Sequence, residues 1–142
     1  MIILAVDYGY VRTGLAICDK TETLSSPIGT IKETYMPKVA KRISEIVFER
    51  NAELTVIGLP KNMDGTEGEH AQMSRKLAQI LEDEYNLAVE LWDERLTTVL
   101  AYRLLDESGT YGKKRKNAVD TVSATVILED YLKNRQTDQK AE

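Results

Sequence analysis

A chain of 142 residues with 42% hydrophobic content and no Pro/Gly/Ser-rich linker has room for one domain around one sizeable core. Its single cysteine, Cys18, excludes an internal disulfide and a multi-thiolate zinc site, and no apolar run approaches the roughly 18 residues that a membrane helix requires. The net charge of −4 excludes a general attraction to nucleic acid, so phosphate binding has to come from local clusters of Lys and Arg; a reducing, cytoplasmic setting is expected.

Residues 2 to 7 read as a buried strand, and Gly9 opens a turn into a second strand from about Arg12 to Cys18, close enough to pair antiparallel. A third strand over Leu24 to Ile31 belongs at a sheet edge, because Pro27 lacks an amide donor. Pro37 suits a first helical turn, and Val39, Ile43, Ile46 and Val47 form one apolar face of a helix ending near Asn51. Leu54 to Leu59 is a short strand stopped by Gly58 and Pro60. Thr66 and Glu69 have capping-box spacing before a helix that buries Met73, Leu77, Ile80, Leu81 and Tyr85.

Leu87 to Trp92 supplies a fifth strand, Thr97 or Thr98 caps a helix to about Asp106, and a last helix runs from about Asn117 to Lys133 with Val119, Val122, Val126, Ile127, Leu128 and Tyr131 inward. This order predicts an α/β fold: a five-stranded mixed sheet with strand 2 antiparallel, strands 1, 4 and 5 parallel, and helices on both faces. Residues 1–133 form the domain, and 134–142 a polar, frayed tail.

The chemistry lies in where the acids fall. Asp7 ends the first strand, Asp93-Glu94 ends the fifth, and Asp120 lies in the last helix, so the carboxyl rim of the sheet gathers Asp7, the loop Pro60 to Gly65 and Asp93-Glu94. Oxygen donors suit Mg²⁺ or Mn²⁺, and two such ions about 4 Å apart activate water and stabilise the leaving oxygen of a phosphodiester. Each acid also has a purely structural reading: a turn at Asp7, a cap at Asp93, and the first turn of a helix capped by Asn117 at Asp120. Cys18, in a strand-like segment, reads as a buried structural thiol rather than a nucleophile paired with His70.

The segments Ile3 to Gly9, Val56 to Thr66, Trp92 to Thr98 and Lys113 to Asp120 resemble, in order and over nearly the whole chain, the signatures of the YqgF family, also called RuvX. The resemblance implies a ribonuclease H-like fold related to the RuvC Holliday-junction resolvases, and a nuclease that matures the 5′ end of precursor 16S ribosomal RNA. Carried over position by position, it implies metal-binding acids at Asp7, Asp93, Glu94 and Asp120, with Asp7, Glu94 and Asp120 catalytic and Glu94 the inner ligand of its pair. Tyr10 and Val11 depart from the small and basic residues common there, and Thr121 stands where a Lys is usual.

Other matching positions invite roles toward nucleic acid. Gly9 and Gly65 allow close turns; Arg12 faces phosphate or solvent; Asn62 shapes a loop beside a helix N-terminus; Arg95 clamps a phosphate or pairs with Glu94; and Lys113, Lys114, Arg115 and Lys116 track a backbone or form a solvated loop. Few aromatics are present, and Trp92 reads as core, so recognition of structured RNA, or of branched DNA, by shape and backbone is expected, by a monomer or a homodimer. A resolvase, an actin-like phosphotransferase and a non-catalytic nucleic-acid-binding module are the competing classes. The phosphotransferase fits poorly, since that architecture takes two lobes and about twice this length.

Overall fold

The apolar run Ile3 to Val6 becomes the centre of the sheet, with each residue fully buried. A computed structural model describes residues 1–96 and 113–141, with side chains for 1–95 and 122–136. β1 (Ile3–Asp7), β2 (Arg12–Cys18) and β3 (Ser25–Lys32) form an antiparallel meander. β4 (Leu54–Leu59) and β5 (Val89–Asp93) then add in parallel on the other side of β1, giving the order β3-β2-β1-β4-β5. Pro27 lies on the edge strand, where its missing donor costs least.

Two cores follow from the two-residue alternation of β1. Leu4 and Val6 pack with α1 (Met36–Arg50) and α2 (Glu69–Tyr85), whereas Ile3 and Ala5 pack with Cys18, Val56 and α3 (Lys113–Ala141). Both faces of the strand are therefore covered, which explains its unbroken hydrophobicity. In α1, Pro37 stands in the first turn, Val39 and Ile43 are fully buried, and Asn51 closes the helix in the left-handed conformation at φ 57°. Leu77 and Leu81 of α2 are fully buried, each stabilising the fold by about 1.5–3 kcal/mol, while Met73, Ile80 and Tyr85 flank them half-buried.

Several expectations need correction. Thr66 does not cap α2: its hydroxyl donates to Asp64 Oδ1 at 2.6 Å and accepts from Asn62 Nδ2 at 2.9 Å, so the preceding loop uses it and Gly68 takes the cap position without a side-chain bond. Gly58 does not stop β4 but lies within it, and β5 begins at Val89 rather than Leu87. Lys113 to Lys116 belong to α3, not to a loop, and α3 continues past Asn134, where a frayed tail was expected. Arg135 gives that extension a tie, because its Nε donates to Glu22 Oε1 at 2.7 Å. Val122, expected inward, is exposed. The expected helix from Thr97 or Thr98 to Asp106 lies outside the described residues. No helix among the described residues is long and apolar enough to cross a membrane.

The course of α3 positions the site. Ile127 packs beside Gly58 near the carboxyl end of β4, the Tyr131 hydroxyl donates to Glu90 on β5, and Arg135 reaches Glu22 beyond β2. From Ile127 onward the helix thus runs from the carboxyl end of β4 toward the opposite edge.

Candidate active site

Asp7 closes β1 and is only 4% exposed. The pairing of Val6 with Ile57 sets Asp7 beside Gly58, and Gly58 in turn pairs with Trp92. Alternation from Ile3 and Ala5 turns Asp7 to the α3 face, which is also the face toward which a Gly58 side chain would point. Glu94 is the first residue of a 3₁₀ turn spanning Glu94–Leu96, and it folds back over this glycine. A Cβ at Gly58 would fall 2.5 Å from Glu94 Oε1 and 2.7 Å from Ile127 Cδ1, so the bare glycine is what admits the carboxylate, itself 3% exposed. Adjacent strands lie about 4.8 Å apart, so Asp7 at the end of β1 and Glu94 over Gly58 are both buried near the carboxyl end of β4. Both have interaction partners within the fold.

Asp93 is engaged differently. It accepts from the Arg95 backbone N–H at 3.0 Å and from Arg95 Nη2 at 2.8 Å, and this partner holds its carboxyl below the usual carboxylate range. Arg95 therefore pairs with Asp93, where the sequence left open a phosphate clamp or a pair with Glu94. Its Nη1 also donates to the Met63 carbonyl at 3.5 Å and lies 3.3 Å from where a Gly65 Cβ would stand, so the guanidinium rests on the loop after β4. Lys61 of that loop, which the motif reading passed over, adds positive charge that favours the ionised form of Asp93 and lies 4.0 Å from Glu67.

Asn62 performs turn chemistry: its N–H donates to the Thr66 carbonyl, and its carbonyl accepts from Gly65, which sits at φ +90°. Gly9 is required for space, since a Cβ there would meet the Arg12 carbonyl oxygen at 2.2 Å. Arg12 begins β2 half-buried, and its Nε has no hydrogen-bond partner among the described residues. Cys18 is a buried structural thiol, accepting from the Ile3 N–H at 3.3 Å, and burial pushes its pKa up. Trp92 packs in the α3-side core against Tyr131.

Asp120 lies in α3 two turns before Ile127, and Lys113 to Lys116 occupy the opening turn of the same helix; their side chains fall outside the described residues. Among the described residues no group of three or more His, Cys, Asp or Glu is arranged to hold a metal. His70 is the residue the sequence reading set aside: its Nε2 lies 2.6 Å from the Tyr8 carbonyl oxygen, a contact across 62 positions that no local pattern announces.

The family model described as "RuvX: Holliday junction resolvase" matches residues 1–134. The chain belongs to the RuvX family. Its family relatives include proteins named "Putative pre-16S rRNA nuclease" from Geobacillus sp. (40% identical, covering 96% of this chain and 100% of the relative) and from Endomicrobium trichonymphae (41% identical, 92% and 94%). RuvC of Thermus thermophilus has a similar fold, with a TM-score of 0.58 at 11% identity over 96% of this chain and 97% of that one. The RuvX chain is thus a ribonuclease H-like α/β protein.

Proposed function

We propose that this RuvX chain is a divalent-metal-dependent nuclease of the cytoplasm that hydrolyses phosphodiester bonds while maturing the 5′ end of precursor 16S ribosomal RNA. One observation supports the site: Asp7 ends β1 beside Gly58, Glu94 packs over Gly58, and both acids are buried. Burial of carboxylates costs several kcal/mol unless compensated, so two buried acids at the carboxyl rim of a parallel sheet favour a catalytic reading over a turn and a cap. The names borne by relatives about 40% identical over nearly their full length support the reaction class.

The donor set is all oxygen, which fits Mg²⁺ or Mn²⁺. Asp7 and Glu94, joined by Asp120 from α3 and with Asp93 at the margin, would hold one or two such ions, which when bound lower the pKa of water and offset charge on the leaving oxygen. The surrounding strands and the Gly58 contact fix the two inner carboxylates, so they need little reorganisation. Asp93 orients Arg95, whose half-exposed guanidinium addresses a phosphate beside the acids. Arg12, Lys61 and Lys113 to Lys116 bring cations toward the flanking backbone, and the Asn62 to Gly65 turn shapes the approach.

The test is Mg²⁺- or Mn²⁺-dependent cleavage of a precursor 16S fragment by wild type, Asp7→Asn and Glu94→Gln. Each substitution is expected to lower the rate by on the order of 100-fold or more with folding retained. Equal rates would remove the mechanism. The family description also favours a second reading, a Holliday-junction resolvase. Cleavage of a four-way DNA junction by a dimer, with the RNA left intact, would select it.

A further inference from the structure

The Tyr10 ring stands 46% exposed in the β1–β2 turn, three residues past Asp7. It is braced from behind. The His70 ring lies 5.1 Å away at a tilt of 34°, close to an offset stack, and the Tyr8 ring meets it edge-on at 6.1 Å. Tyr8 is buried, and His70 is fixed through its Nε2 contact with the Tyr8 carbonyl oxygen, so two rings tied into the fold hold a third at the rim. Val11 beside it is also exposed, so the turn presents an aromatic ring and an aliphatic side chain to solvent just past the end of β1.

We infer that Tyr10 is a stacking seat for one unpaired nucleobase close to the scissile phosphate, so that the substrate has a single-stranded nucleotide there instead of a continuous duplex. The inference rests on the nuclease reading and specifies its substrate. Three residues span at most about 11 Å, which is two or three nucleotides along a strand. Only an unstacked base offers a free π-face to such a ring.

The experiment compares two RNA hairpins of one stem sequence, one blunt and one with a 5′ single-stranded overhang containing 2-aminopurine, with wild type, Tyr10→Ala and Tyr10→Trp in Mg²⁺. Tyr10→Ala is expected to raise KM for the overhang RNA about tenfold with kcat little changed and to abolish quenching of the fluorescent base, while Tyr10→Trp retains both. The blunt RNA should show no difference among the variants. An unchanged KM and quench in Tyr10→Ala, or an equal loss on both RNAs, would overturn the stacking seat while leaving the nuclease intact. A wild type that cuts neither RNA would overturn the nuclease reading and this inference with it.

Discussion

Gly58→Ala is the most discriminating substitution in this fold. The glycine is not in the left-handed region, so alanine is conformationally acceptable and the whole effect must come from space. The added methyl would sit 2.5 Å from Glu94 Oε1 and 2.7 Å from Ile127 Cδ1, roughly 1 Å inside ordinary contact on both sides. Overpacking of this kind costs about 1–3 kcal/mol, equivalent to a fall in Tm of about 3–10 °C in a domain of this size. Displacing Glu94 by about 1 Å should also reduce cleavage by about 100-fold. Ile127→Val removes the Cδ1 atom, so the double variant Gly58→Ala/Ile127→Val should recover part of the melting temperature and little of the rate. Thermal melting by circular dichroism and Mg²⁺-dependent cleavage measure the two effects separately. A Gly58→Ala protein that melts and cleaves like wild type would refute the packing of Glu94 on Gly58, and with it the convergence of the acids.

Two titrations probe regions away from the rim. Asp19, between β2 and β3, accepts from the Thr23 and Leu24 N–H groups, and these bonds lower its pKa to about 2. A depressed folded pKa contributes stability above the ordinary carboxylate range that is lost as pH falls from about 4 to about 2; the melting-temperature gap between wild type and Asp19→Ala should therefore be full at pH 6 and narrow at pH 2, and a gap independent of pH would contradict it. Burial and the bond to Glu90 raise Tyr131 to about 12, so the stabilisation it gives the neutral state is complete below pH 10 and lost between about 10 and about 12. Absorbance at 295 nm should show a tyrosine ionising near pH 12 that disappears in Tyr131→Phe.

The central architecture was legible because each signal was local. The run before Asp7, the Arg12 to Cys18 strand, the edge proline and the α1 face all follow from periodicity over a few residues, and they recur in the structure. The carboxyl-rim rule likewise put Asp7 at the end of β1 and Asp93-Glu94 at the end of β5, and both strands end there. Sequence could not supply what seats Glu94: Gly58 reads as a strand stop, and only the crossing of β4, the turn after β5 and α3 reveals it as room for a carboxylate. The choice of Asp93 over Glu94 by Arg95 was hidden for a similar reason, since adjacent acids differ in which face of the chain they leave. Thr66 misled because a hydroxyl with capping spacing was consumed by Asp64 and Asn62 in its own loop.

The unbroken span of α3 has a metric consequence. Lys113 to Lys116 precede Asp120 by four to seven residues in one continuous helix, which is about 6 to 10 Å of axis. Cations at that spacing would grip a bound strand two or three nucleotides from a cut at Asp120, at about 3.4 Å per nucleotide. The helix would act as a ruler, so that the length of product left at a processed end is written in helical rise.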